Sequence, residues 1–418
     1  MTAVAGIPRL VRAPAEVRSA RIRGAIYLVL AVATYVLFAA GTEGDVVFRL
    51  GEAVGDLDWS VSARGLATTS AVVFGFLGGW ELTRGLGRWS NMALAIALGL
   101  FAFAFLGFAA AGKSLSLVGM LEGSVAAATP IAFGALSGVM CERVAVINIG
   151  IEGMLLTGAF MGAVIGTIVN PIGGLVGATL AGGLMALGLA VLAIKYRVDQ
   201  IIAGVVINIF ALGLTSFLSA QILVENASEY NNPGVLGPIK IPLLGDIPVI
   251  GRILFDHNIF IYGMFLIVIT MTYGLFKTRW GLRSRAVGEH PKAADTLGIN
   301  VFRTRYRNVV LGGMIAGFGG AYFTLGSVGS FNENMTAGRG FIGLAAMIFG
   351  RWHPVGALAA ALVFGFADSL QVKLAILDSG IPSEFLLMAP YLVTIIVVAG
   401  VVGAARPPAA DGQPYVKE

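Results

Sequence analysis

Cysteine, histidine and charge are all scarce in this sequence, and each shortage removes a class of function. Cys141 is the single cysteine in 418 residues, which excludes a disulfide framework and a cysteine-based metal site. His257, His290 and His353 are spread along the chain with no HExxH-type pairing, so no metal or redox centre is expected. The string GFAAAGKS (107–114) fits GxxxxGK[ST] by letter but closes the apolar run Met92–Ala111 instead of joining a strand to a helix, and no nucleophile–base arrangement stands out, so the chain is not expected to be an enzyme. If ATP drives it, a separate subunit must bind the nucleotide. Charged residues make up 12% of the chain, against roughly 25% in soluble domains. With 57% hydrophobic residues and a mean hydropathy of +0.86, the chain reads as an integral membrane protein. The net charge of +5 is not a nucleic-acid signature, because the basic residues gather in loops between apolar runs. Glycine, by contrast, is plentiful (58 residues) and suits helices packed closely in lipid.

The apolar runs predict an all-α, polytopic fold with about 11–12 transmembrane helices. Arg9, Arg12, Arg18, Arg21 and Arg23 precede the first run, Gly24–Ala40, which places the N-terminus inside. A cleaved signal peptide ending near Ala39-Ala40-Gly41 is the competing reading. Glu43, Asp45, Glu52, Asp56 and Asp58 then suit the outer face. The runs Leu66–Trp80 (the weakest), Met92–Ala111, Leu117–Met140, Asn148–Val169, Gly173–Ile194, Ile201–Val224 and Ile259–Phe276 follow, with a mildly acidic loop at 225–257. Later runs are Val309–Val328, Phe341–Gly350, Val355–Leu370 and Phe385–Gly403. Phe341–Gly350 is too short to cross a bilayer and predicts a half-helix, or a span reaching back to Gly338.

Eight runs precede the most basic stretch, Lys277–Asn308, so an inside N-terminus puts that stretch inside. It carries eight Lys/Arg against Glu289 and Asp295. Pro291 is placed to start a short helix and Gly298 to end it, with Ala293, Ala294 and Leu297 on one side and Ile299 folding back onto Ala294. Such an element reads either as a docking piece for a soluble partner or as an ordinary solvated loop.

Polar residues inside apolar runs are costly in lipid and mark candidate pathways. Asn148 and Glu152, four apart, share a face if both are helical. They either line a polar passage or cap and join helices. Asn208 is a second lining candidate, whereas Asp199, followed by Gln200, predicts a helix cap. Asp368 and Gln371 face either a pathway or the outer interface. Phe160, Phe210, Phe217 and Phe323 either stack on a planar solute or pack.

The segments ERVAVINIGIEGMLLTGAF (142–160), VDQIIAGVVINIFALG (198–213), GLRSRAVGEHPKAADTLGINV (281–301) and FIGLAAMIFGRWHPVGALAAALVFGFADSLQ (341–371) occur in this order. Together they resemble permease subunits of ABC importers in the ribose and branched-chain amino acid group, in particular the branch serving nucleoside (guanosine-type) uptake. The resemblance runs from about Leu115 to Val402. It implies a permease domain over 113–405, an N-terminal extension over 1–112 with about three transmembrane helices, and a cytoplasmic tail over 406–418. It makes Glu289, His290, Pro291, Ala294 and Gly298 a coupling helix resting in a cytoplasmic ATPase, with His290 where the family usually has Asn. His290 there either makes the contact pH-sensitive or stands in for the amide. The implied partners are an ATPase with two nucleotide-binding domains, a sister permease in a heterodimer, and a periplasmic or lipid-anchored binding protein. The implied setting is the bacterial cytoplasmic membrane. No cofactor is expected on this chain, since ATP is used by the partner. The expected activity is import of a small neutral solute, most often a nucleoside. Sugars or branched-chain amino acids are the alternative cargo, and a lone ion-coupled transporter is the alternative mechanism.

Overall fold

The computed structural model describes residues 14–51, 58–377 and 405–417, together with Glu384 and Met388. Nine helices among these are long and apolar enough to cross a membrane. The chain divides into two compact units, residues 1–117 with 373–381, and residues 118–372 with 382–418. Apart from Met388, the expected span Phe385–Gly403 lies outside the described residues.

In the first unit the helices are α1 (Pro14–Thr34), extended by a wider turn at Tyr35–Ala39, α2 (Ala63–Thr83) and α3 (Ser90–Ala109). Ser62 caps α2 by accepting from the Gly65 amide at 3.2 Å. The Phe38 ring meets those of Phe101, Phe105 and Phe108. Glu81, 1% exposed on α2, is paired with Arg23 of α1 at 2.9 Å and accepts from the Leu86 amide, which removes the cost of an isolated buried charge. α2 is long enough to span but less apolar than the nine, consistent with Leu66–Trp80 being the weakest run. The acidic connection between α1 and α2 departs from an all-α reading. Its strand β1 (Asp45–Arg49) pairs antiparallel with β2 (Asp58–Ser62) and parallel with β3 (Ser114–Ser116). Alternation buries Val46 and Phe48, a period-two pattern too short to stand out in the sequence.

The second unit carries α4 (Leu117–Glu142), α5 (Ile151–Ile168), α6 (Pro171–Ala190) and α7 (Gln200–Leu218). The short α8 (Ala227–Tyr230) and α9 (Ile250–Leu254) follow, with the two-residue strands β4 (Ile239–Lys240) and β5 (Asp256–His257). Then come α10 (Ile259–Lys277), α11 (Arg279–Glu289), α12 (Pro291–Thr296), α13 (Val301–Phe323), α14 (Arg339–Phe349) and α15 (Pro354–Ile376). Asn170, Asp199, Asn258 and Asn300 each cap the helix they precede, which is why those helices start where they do. α5, α6 and α13 meet through glycine. A Cβ on Gly158 would lie 2.5 Å from the Gly317 carbonyl oxygen, and one on Gly182 would run into that of Gly313. The small residues let these backbones touch.

Candidate functional site

The second unit contains a broken span. After α13 and its last wide turn, residues 329–338 form turns and irregular backbone, and α14 begins only at Arg339. α14 runs beside the second half of α4: Gly343 sits against Gly134 and Ala135, and Met347 against Gly138. It is the half-helix foreseen from the short run, and it starts level with the interior of α4. The carboxylate of Glu152 is the reason it can start there. Oε1 accepts from Thr336 Oγ1 at 2.6 Å and from the Gly338 amide at 2.8 Å, while Oε2 accepts from the Gly340 amide at 2.6 Å. A negative charge at a helix N-terminus answers both the orphan amides and the dipole. Asn334 and Ala337 hold positive φ angles of 52° and 45°, conformations that persist only where surroundings fix them.

Glu152 is thus committed to protein donors. Asn148 is not its helical neighbour, contrary to the spacing argument: residues 143–150 are turns, and α5 starts at Ile151. Asn148 is fully buried, its Nδ2 3.4 Å from both Ser137 Oγ and Cys141 Sγ. The chain doubles back here because Ala145 takes φ 60°, a left-handed turn with no composition signal. Asn208 clamps the start of α5 from α7, accepting from the Gly153 amide at 2.8 Å and donating to the Ile149 carbonyl at 2.9 Å. Phe160 is buried edge-on against Phe331 with ring centres 5.2 Å apart. Phe210 and Phe217 are exposed on α7. Asp368 is half-buried on α15 and faces the charge of Arg339 at the start of α14. The Arg339 guanidinium also lies 5.8 Å over the Phe323 ring. Of the pathway candidates, Asp368 keeps a side chain next to the helix break, together with Arg339, which sequence reasoning passed over. Asn148, Glu152, Asn208 and Phe160 are engaged in holding helices together.

At one end of the unit the basic stretch folds into α11 and α12. His290 stands before Pro291 and its Nδ1 accepts from the Ala293 amide at 3.2 Å, the job an Asn side chain would do at that position. The Gly298 amide reaches the Asp295 carbonyl and the Ile299 amide reaches that of Ala294, at 2.9 and 3.1 Å, with Gly298 at φ 81°. This is the left-handed termination that glycine permits. One expectation is corrected: Ala294 and Leu297 do not share a face. Ala294 is 3% exposed and packs beside Val287 and Val301, whereas Leu297 is 81% exposed. On so short a helix the last residue sits in the cap rather than on the stripe. Glu289 is exposed and its Oε2 accepts from the Ala409 amide at 3.2 Å.

Behind this hook lies a cluster that the sequence did not announce. Trp352 Nε1 donates to Glu142 at 2.5 Å, and Arg143 Nε donates to the Trp352 carbonyl at 2.9 Å. Arg143 and Arg285 both lie over the Phe276 ring, on which His353 also stacks. Burial, and then the Arg143 charge, hold the His353 imidazole below its ordinary value. The C-terminal segment brings Asp411 against Glu142 and near Arg305. Burial pushes the Asp411 carboxyl up from 3.8 to about 6, with the hydrogen bond to Glu142 and the Arg305 charge opposing. Because the docked value lies above the free one, docking favours the neutral form. The stabilisation is complete below the free value and is lost as pH rises through about 6. A spin label at Val416→Cys is expected to be immobile on the acid side and to gain mobility on the alkaline side. Asp411→Asn should weaken that dependence, leaving only what its neighbour Glu142 contributes, and an unchanged profile in that variant contradicts the assignment.

Comparison with known proteins agrees with this architecture. The family model described as "Branched-chain amino acid transport system / permease component" matches residues 120–399. The guanosine ABC transporter permease protein NupQ of Bacillus subtilis is 42% identical over 303 residues, covering 69% of this chain and 94% of NupQ. The nucleoside ABC transporter permease protein NupC of Lactococcus lactis subsp. cremoris is 42% identical over 301 residues, covering 69% and 94%. A putative glucose ABC transporter permease protein, TsgC13 of Haloferax volcanii, is 34% identical over 256 residues, covering 61% and 77%. No solved structure matches the chain. With most of the second unit matched by the family model and both 42% relatives covered almost end to end, this multi-pass membrane chain belongs to the branched-chain amino acid transport system permease family.

Proposed function

We propose that this chain is the permease subunit of an ATP-driven importer that carries nucleosides into the cytoplasm, with ATP bound and hydrolysed by a separate ATPase. The observation that carries the reading is the hook α11–α12: a capped helix with Leu297 held out and Ala294 anchored, at the end of the unit richest in Arg and Lys. An exposed leucine on a rigid basic loop suits the groove of a soluble partner on the positive-inside side. The 42% identity to guanosine and nucleoside permeases supports the cargo. The 34% glucose relative supports a sugar as second cargo.

In this reading a binding protein delivers solute on the outer side, and a sister permease completes the cavity. ATP-driven movement of α12 shifts the population between outward- and inward-open states, to which the permease contributes differential affinity. The N-terminus lies inside, which requires α2 to cross as an eighth span before the hook. The test is uptake of labelled guanosine by proteoliposomes holding this chain, its sister permease, the ATPase and the binding protein. Uptake requiring ATP and competed by nucleosides rather than glucose is the expected result. Leu297→Arg should lower it by about ten-fold or more, consistent with loss of a buried interface anchor, without reducing membrane insertion. Uptake that proceeds without ATPase and stops with an uncoupler would point to an ion-coupled transporter instead.

A further inference from the structure

We propose that the C-terminal segment 405–417 positions the coupling helix: it is a strap that locks α12 to α13 and ties both to the end of α4. The proposal rests on the ATP-driven reading above and adds a part to its machinery. A helix of six residues has almost no stability of its own. Its caps fix its ends, yet its placement against the bundle needs further contacts, and the strap provides them on several sides.

The Ala410 amide donates to the Gly288 carbonyl at 3.0 Å and the Ala409 amide to Glu289, which fastens the strap to the last turn of α11. Farther on, Arg305 Nη1 of α13 donates to the Gln413 carbonyl at 3.1 Å. Tyr415 is 6% exposed, its ring 5.3 Å from that of Phe302, in the same apolar cluster as Ala294, Val287 and Val301. Lys417 Nζ lies 3.5 Å from Asp295 Oδ1 on α12 itself. The strap therefore forms part of the floor under Ala294 while leaving Leu297 free for the partner.

The strap also reaches inward. Asp411 lies against Glu142, the last residue of α4, and Glu142 in turn accepts from the Trp352 indole beyond the end of α14. Displacement of α12 by an ATPase is thus passed, through backbone bonds and one buried aromatic, to the two helices that border the broken span. Loosening the strap should let α12 move without the bundle following. Energy is then spent without transport, a signature that a merely structural residue, lowering both rates together, does not give.

The experiment compares Tyr415→Phe, Tyr415→Leu and Tyr415→Ala in the complete reconstituted complex, reading guanosine uptake and ATP hydrolysis together. The Phe variant, which keeps the ring against Phe302 and drops only the hydroxyl near the Arg305 charge, is expected to lose least. The Leu and Ala variants are expected to lose uptake per ATP progressively, by about ten-fold for Ala, the scale at which positions along a coupling path act. Hydrogen exchange at 291–300 should rise in the same order. If Tyr415→Ala assembles poorly, the Phe–Leu contrast carries the test. Unchanged uptake per ATP in the Leu and Ala variants, with wild type importing normally, overturns the strap alone. A wild-type complex that never couples uptake to ATP overturns the importer reading and the strap with it.

Discussion

Glu152→Ala is expected to abolish folded protein in the membrane. The substitution leaves the Thr336 hydroxyl and the Gly338 and Gly340 amides with no acceptor, in a site where Glu152 is 8% exposed. Each orphaned buried donor costs about 1–3 kcal/mol, and three together rival the roughly 5–15 kcal/mol that holds an ordinary protein folded. The carboxylate also offsets the positive end of α14, a further loss on removal. Glu152→Gln keeps one acceptor oxygen and should give reduced but measurable protein. Gel filtration of a fluorescent fusion reads both. Wild-type yield of a monodisperse Ala variant would mean that the half-helix does not depend on Glu152.

Gly320→Ala has the second largest expected effect. One methyl group there would be driven into the carbonyl oxygen of Leu155, with the Ala159 amide 2.9 Å away. The obstacle is backbone, so no side chain can swing aside, and α13 must separate from α5. Overpacking of this kind costs about 1–3 kcal/mol, and the displacement spreads to the Gly158–Gly317 contact on the same helix pair. Gly213→Ala on α7 is the control: nothing lies within 4 Å of the added carbon, and the variant should behave as wild type. Thermal unfolding in detergent distinguishes the two, and equal midpoints would refute close α5–α13 packing.

These two sites show what the sequence could and could not carry. Composition and run length sufficed for the membrane class, and the half-helix followed from Phe341–Gly350 being too short for a bilayer. The caps at Asp199, Pro291 and Gly298 were legible because they depend on local backbone chemistry. What stayed hidden depends on distant partners. Glu152 is 184 residues from Thr336, and nothing near either position says that one receives the other. The Asn148–Glu152 pairing failed because a helical spacing was assumed across residues 148–150, which are not helical, α5 starting only at Ile151. Burial of Ala294 opposite an exposed Leu297 comes from an apolar cluster drawn from distant segments, among them Tyr415 of the C-terminal tail. The strands β1–β3 were missed because they bury two, no and one residue respectively, below any periodic signal.

The most direct measurement places a photoreactive side chain at position 297 in living cells and asks what it attaches to, and from which side of the membrane it can be reached. Our account predicts a covalent adduct with a nucleotide-binding ATPase subunit and no labelling at this position by an impermeant reagent added outside. Labelling from outside, or a transport-competent complex in which position 297 never meets the ATPase, would contradict it.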